Sequence, residues 1–469
     1  MWYGYHIINK SKLISPFNLT FAFVATHGHF VVQTTPKLFK QTAPIIKLPP
    51  NTDESAHQCL AAVLNSSAAL FLLKQTCFNK NAGEDEERDR FEFSGGKIEQ
   101  FLIPTLIAIA LRGNPNPLSS RLTTLSQACW ERGRQMPALA LKKLFEMPDE
   151  AYQAWNDQLP GHTAPDPRLG KPFATARELR NAFDRTCELR EILRAEMIAL
   201  QEEMDWLVYA AYGLIGRDEC RIPDDKWPEP LRREQRPFVL WQQADGDFDQ
   251  AVARIPADWA EERKKLWRSR LECIRDNEHV RRIEQPVYKR RWDEQWKVGN
   301  RWDCGPLAYA AEFAEAFDGW LSEKAEHWLE NRPGATAVTL EEWTLALWQD
   351  NRVRAAWQAR QEIGAAGVAG SGDEDVAGLE ARRPVLPGVD TRPPMEEAAG
   401  KFFTKHFRDL VNGQTVPDGI PWGVPWEELA ARGVEVPEKT KKIRGKLNVP
   451  RERFHLTADK RYHWAGRTV

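Results

Sequence analysis

Two short clusters bring metal-ligating side chains together, His27-Gly28-His29 and His57-Gln58-Cys59. A structural zinc site needs four ligands, commonly as two closely spaced pairs. The seven cysteines, at 59, 77, 129, 187, 220, 273 and 304, contain no C-x-x-C pair to complete one. No metal site is expected, and these histidines read as structural or solvent-facing. Ser94-Gly95-Gly96-Lys97 lacks the spacing of a phosphate-cradling P-loop, and Gly370-Ser371-Gly372 sits in linker-like composition instead of after a strand. No G-x-S-x-G nucleophile elbow is present. Carboxylate pairs such as Glu202-Glu203 and Glu341-Glu342 fit solvated helix faces better than acid–base work. No catalytic residue is assigned.

The cations are more informative. Lys plus Arg is 65 against 67 for Asp plus Glu, a net charge of -2, so the whole molecule exerts no pull on a polyanion and any basic surface must be local. The first fifty residues contain no acidic side chain, while Lys10, Lys12, Lys37, Lys40 and Lys47 supply positive charge. Further along, Trp292, Trp296 and Trp302 interleave with Lys289, Arg290, Arg291, Lys297 and Arg301, a pattern that suits a basic surface with stacking platforms. Trp320, Trp328, Trp343, Trp348 and Trp357 instead recur at helical separations among Leu and Ala, which predicts core packing.

The elements that must position these residues predict an α+β protein: a small mixed β-rich N-terminal unit, a mostly helical body with one long helix, and a small basic C-terminal module. At 469 residues the chain has room for about three domains, and 42% hydrophobic with 28% charged residues excludes a wholly disordered or collagen-like chain. Residues 1–112 read as short strands around Phe21, Phe30 and Ile45, then one helix from an Asp53 or Ser55 cap through Lys74. Residues 113–174 form a Pro-rich connector with short helices. The helical body spans 175–363 and begins with a long helix over 175–212, whose apolar face runs from Leu179 to Leu214 and which ends at Gly213. A Gly- and Pro-rich stretch, 364–400, reads as a flexible linker. The module 401–469 carries ten Lys and Arg against four acids from Glu435 onward, with strands expected at Phe454 to Leu456 and Arg461 to Trp464. The most apolar stretch, Phe101 to Leu111, is far short of the roughly 20 residues of a membrane span, and no signal peptide precedes it. Unpaired, scattered cysteines fit reduced thiols. A cytoplasmic protein with no membrane partner is expected.

Several stretches together resemble the target-recognition region of large adenine-specific DNA methyltransferases, nearest to the phage-exclusion (BREX-type) methylases and similar in layout to fused restriction-modification enzymes. They are FAFVATHGHFVV from Phe21, KLFKQTAPIIKLP from Lys37, LNSS from Leu64, LKQTCFNK from Leu73 and FEFSGGKIEQF from Phe91. LQEEMDWLVYAAYGL from Leu200, GKLNVPRERF from Gly445 and YHWAG from Tyr462 complete the set. Such methylases carry an Asn/Asp-Pro-Pro-Tyr/Phe tetrapeptide that holds the flipped adenine, and a Gly-rich loop for S-adenosylmethionine. Here Pro-Pro occurs only at Pro49-Pro50 and Pro393-Pro394, after Leu48 and Arg392, and no strand–Gly-loop–helix opening is present.

The resemblance therefore implies the DNA-reading portion of a split or truncated methylase, with double-stranded DNA as partner. A separate catalytic half or other phage-defence proteins would supply the rest. S-adenosylmethionine would belong to the complete enzyme, and no cofactor is expected in this chain, which is predicted inactive alone. The implied DNA contacts are Lys37, Lys40 and Lys47 to phosphates, with Gln41, Asn65 and Asn79 offering amides to adenine edges and Lys74 and Lys80 alongside. The alternative is a helical protein-interaction scaffold without DNA binding.

Overall fold

The computed structural model describes residues 17–34, 42–49, 52–80, 89–146, 173–216, 218, 220–292, 296–298, 301–303, 306–330, 338–371, 454–456 and 461–464. The strands are β1 Asn18–Phe21, β2 Val24–Ala25, β3 Phe30–Gln33, β4 Ile45–Ile46, β5 Phe78–Asn79, β6 Phe91–Glu92, β7 Trp296–Val298, β8 Arg301–Asp303, β9 Val338–Thr339, β10 Phe454–Leu456 and β11 Arg461–Trp464. The helices up to the long one are α1 Glu54–Leu64, α2 Ser67–Thr76, α3 Gly95–Ile98, α4 Thr105–Ala110, α5 Pro117–Gln135, α6 Lys143–Glu146 and α7 Ala176–Ala211. Beyond it lie α8 Pro237–Gln243, α9 Phe248–Ala253, α10 Glu261–Asp276, α11 Glu278–Ile283, α12 Pro306–Glu330, α13 Leu340–Gln349 and α14 Asn351–Ser371. The α+β architecture is as expected, and the strand pairs are antiparallel throughout the described residues.

Contacts divide the chain into two units, 1–137 with 188–292, and 138–187 with 293–469. In the first, the sheet β3-β1-β4 and the sheet β2-β6-β5 contribute Leu19, Phe21, Phe30, Val32 and Phe91 to a core shared with Leu60, Leu64, Leu70 and Leu73 of α1 and α2. A second core joins Cys59 and Val63 of α1 to Leu122 and Leu125 of α5 and to Leu200, Trp206 and Leu207 of α7. In the second unit, Phe145, Phe173, Phe313, Phe317 and Trp320 form an aromatic cluster with ring centroids 5.2 to 6.3 Å apart. Trp320 and Trp357 are buried there, as their helical spacing predicts.

The long helix falls within one residue of the predicted span at each end. Its start is secured by Thr175 and Glu178: the Glu178 carboxylate accepts from the Ala174 and Thr175 amides, and the Glu178 amide donates to Thr175 Oγ1. Its end is set by Gly213, whose φ of +72° closes the last turn as the Leu214 amide bonds to the Tyr209 carbonyl. The expected strands at 454–456 and 461–464 are present and pair with one another, β11 also pairing with β9.

The helix expected to run unbroken from Asp53 to Lys74 is instead two helices bent by 68°. Asp53 caps α1 by accepting from the Ala56 amide, and Ser66 caps α2 by accepting from the Ala69 amide. Between them Asn65 turns its amide outward from the helix: the Phe30 amide donates to Asn65 Oδ1 at 2.9 Å, and Asn65 Nδ2 donates to the Phe30 carbonyl at 2.8 Å. A local cap and a long-range backbone mimic together outweigh continuation of the periodicity. The bent pair is mostly buried, and among the described residues no single helix is long and apolar enough to cross a membrane. In the predicted linker, α14 continues to Ser371; 372–400 and most of 401–469 lie outside the described residues.

Candidate nucleic-acid interface

Lys37, Lys40 and Gln41 lie outside the described residues. Lys47 is exposed just after β4, in the N-terminal unit. Asn79 donates to Asp89 at 2.8 Å, and Lys80 pairs with Glu92 at 2.5 Å with its ammonium 5.1 Å from the Phe78 ring centre. Lys74 is buried; its Nζ donates to the Val287 carbonyl at 2.8 Å and lies 4.9 Å from the Phe91 ring centre. The Asn65 amide is engaged by the Phe30 backbone, and a base-reading role for Asn65 or Asn79 requires exchange of the bonds they make. Asn65→Ala should cost about 2 kcal/mol of stability in urea unfolding, because both polar groups of buried Phe30 lose a partner. A loss under about 0.5 kcal/mol would show that water replaces the amide.

The Lys74–Val287 bond ties α2 to the segment after α11, and that segment is held from beneath by a buried ionic network. Lys289 Nζ lies 2.9 Å from Asp205, 2.8 Å from Glu284 and 3.3 Å from Glu202, all essentially solvent-free. Glu202 also accepts from Arg236 at 3.0 Å and from the Trp206 indole. Asp205 accepts from the Ser67 amide and hydroxyl at the start of α2. Tyr209 donates to Glu284 at 2.6 Å. At the adjacent residue Arg270 pairs with Glu203 at 2.5 Å. Glu202 and Glu203 therefore face the interior instead of the solvated face expected for them. Their cations lie 34 to 87 residues away in sequence, beyond the reach of any helical period.

Burial and charge compete within this network. Burial opposes the charge of Glu202, yet Lys289, Arg236 and Arg270 outweigh it and hold that carboxyl down at about 2. For Glu284 and Glu203 burial wins, and their carboxyls are pushed up despite Lys289 and Arg270 respectively. Lys289 itself would be lowered by burial, but Asp205, Glu202 and Glu284 raise it above the ordinary lysine value.

The residues following Lys289 have a different setting. Arg290 lays its guanidinium 4.2 Å from the centre of the buried Trp292 ring, and its carbonyl accepts from Arg236 at 2.8 Å. Arg290 and Arg291 are half-buried. The turn between β2 and β3 brings up His27 and His29, whose ring centres are 6.2 Å apart in an edge-on arrangement, with Thr26 Oγ1 3.0 Å from His27 Nδ1. His27 is held down at about 3, by burial first and then by Arg290, His29, Lys74 and Arg291. Lys74, one of the expected DNA contacts, links the foot of this turn to the segment before Arg290: its Nζ donates to the Val287 carbonyl and lies 4.9 Å from the ring centre of Phe91, which pairs with Ala25.

A cleft of about 1260 Å³ in the same unit, between the end of α7 and α10, includes Arg221, Trp227, Arg263 and Arg270 in its lining. These arginines are neutralised: Arg221 by Asp224 at 3.0 Å, Arg263 by Glu229 at 2.9 Å and Arg270 by Glu203. The cleft is therefore poorly suited to holding an anion. Among the described residues no group of three or more His, Cys, Asp or Glu could hold a metal ion.

Residues 197–383 match a family described as a domain of unknown function, DUF7008. The chain is 28% identical to the adenine-specific methyltransferase PglX of Streptomyces coelicolor over an alignment of 502 residues, which takes in 99% of this chain and 37% of that protein. It is related to that methyltransferase and spans 37% of its length. No solved structure matches the chain.

Proposed function

We propose that this chain is the DNA-reading portion of a site-specific adenine DNA methyltransferase of a BREX-type phage-defence system, acting with methyl-transfer machinery that its own sequence lacks. The observation that carries this reading is the pairing of two facts. The likeness to an adenine-specific methyltransferase runs through 99% of the chain, yet no Asn/Asp-Pro-Pro-Tyr/Phe tetrapeptide occurs anywhere in it. The residues described do not fit S-adenosylmethionine either. Nucleotide-type cofactors sit at the carboxyl ends of parallel strands beside a Gly-rich turn into a helix, whereas the strand pairs here are antiparallel. The Gly95–Gly96 pair opens a helix of one turn. No methyl-transfer step is assigned to these residues.

Double-stranded DNA is the partner, held in the N-terminal unit by Lys37, Lys40 and Lys47 on phosphates, with Gln41 placed among them as a base-edge reader. Lys74 adds positive potential from within. The work of the protein is cytoplasmic, beside the DNA it reads. Anisotropy of a labelled duplex with the full chain, measured across a salt series, tests this. Binding that weakens linearly in log K against log salt is expected. An absence of binding at low salt, with the chain folded, would favour a protein-interaction scaffold instead.

A further inference from the structure

We propose that the cleft between the end of α7 and α10 is a docking site for a basic segment of a partner protein, with a Lys or Arg side chain of that segment laid against the open side of the Trp227 ring. This goes beyond the DNA reading and stands without it.

Three observations carry it. First, the cleft holds about 1260 Å³, more than the roughly 300–1000 Å³ of a typical small-molecule pocket. Leu214, Ile222 and Leu266 give it apolar wall, as a stretch of peptide needs. Second, its ion pairs are built asymmetrically, with the carboxylate outermost. Arg263 is 12% exposed against 63% for Glu229, and Arg221 is 14% exposed against full exposure of Asp218, 3.8 Å away. Of the exposed charged residues in the lining, Asp218, Glu229, Glu262 and Asp276 are acidic, whereas Lys226 and Lys265 are basic and Lys226 is bound to Glu262. The mouth therefore presents negative charge although each pair is neutral, which attracts a cation and repels a phosphate chain. Third, Trp227 is 45% exposed in the lining. Arg121, whose guanidinium lies 5.6 Å from the Trp227 ring centre, is outside the lining. Arg121 thus backs the ring, and the other side is left for a second cation or its methylene stem. The walls are set before anything binds: Arg121 donates to the Asp224 and Lys226 carbonyls, Arg263 to the Pro230 carbonyl at 3.0 Å and Arg270 to the Cys220 carbonyl at 3.0 Å. Little ordering cost remains on this side of the contact.

The test screens the full chain against a pool of short peptides randomised over Lys, Arg, Leu and Ala, beside a pool in which Asp and Glu replace the cations, with spermine as the small polycation. The tightest peptide of the basic pool is then measured by anisotropy. Trp227→Ala should weaken it about fivefold. Asp218→Asn combined with Glu262→Gln should weaken it about threefold and make its salt dependence shallower. Both carboxylates are exposed, so the double variant should melt with the parent and keeps the proposal testable if Trp227→Ala disturbs the loop. Spermine bound as tightly as the peptide, and lost with Trp227→Ala, would overturn the protein segment in favour of a small polyamine. Basic peptides bound equally by the parent and both variants, no basic peptide bound at low salt, or a preference for the acidic pool would overturn the site. None of these results bears on duplex binding, so the DNA reading stands or falls separately.

Discussion

Lys289→Met is expected to lower the stability of the N-terminal unit by about 3–5 kcal/mol, because it leaves three carboxylates buried around an uncharged side chain. The cost does not come from the ion pairs being strong. It comes from what remains: Asp205, Glu202 and Glu284 are all at or below 1% exposure, too deeply buried for bulk solvent to screen their mutual repulsion. Arg236 compensates Glu202 alone. The sign of the pH dependence follows. Lys289 has its folded pKa raised above 10.5, so its contribution is fully present at acidic and neutral pH and is lost only as alkaline titration passes its folded value. Glu202, held at about 2 against an ordinary 4.5, adds stability above pH 4.5 that fades as pH falls towards 2. Urea midpoints of the parent and Lys289→Met between pH 5 and 9 check the first claim, and the difference should be nearly constant over that range. Adding Glu284→Gln to Lys289→Met should recover part of the loss, since Glu284 bears the raised carboxyl pKa and its second oxygen has no hydrogen-bond partner. A loss below about 1 kcal/mol for Lys289→Met would mean that water enters the cluster and that the segment carrying Arg290 is not pinned by it.

What could be read before the structure, and what could not, divides along the range of the interactions. Helix α7 was legible because its apolar spacing, its Thr175–Glu178 start and its Gly213 stop all lie within the element itself. The strands at 454–456 and 461–464 were legible from β-prone residues between turn formers. The break at Asn65–Ser66 was not, since the apolar spacing of α1 continues into α2 and only contact with Phe30, 35 residues away, reveals what Asn65 does. The same holds for polar residues on α7. Period 3.6 separates faces, but it cannot say that the polar face of Glu202, Glu203 and Asp205 is also buried, because the cations arrive from Arg236, Arg270 and Lys289. The candidate site suffered most. His27 and His29 looked like an unfinished metal pair, Arg290 and Arg291 like part of a tryptophan-rich surface, and Lys74 like one more lysine on a helix. Only the fold brings Lys74 to the segment before Arg290.

Replacing Lys37, Lys40 and Lys47 together by Ala should weaken binding to every duplex by a similar factor, whatever its sequence. Each phosphate contact releases condensed counterions and contributes about 0.9 to the slope of log K against log salt, so the three together remove up to about 2.7 units. Between 50 and 200 mM salt the parent should then lose roughly forty times more affinity than the variant. Stability should hardly change: Lys47 is exposed, and surface lysines carry little folding energy. Gln41→Ala should behave differently, leaving the slope alone and narrowing the gap between cognate and mismatched duplexes by about 1–3 kcal/mol if its amide pairs with an adenine edge. The two variants therefore separate positioning from reading within the eleven residues 37–47. An unchanged slope in the triple variant would remove the footprint from this segment.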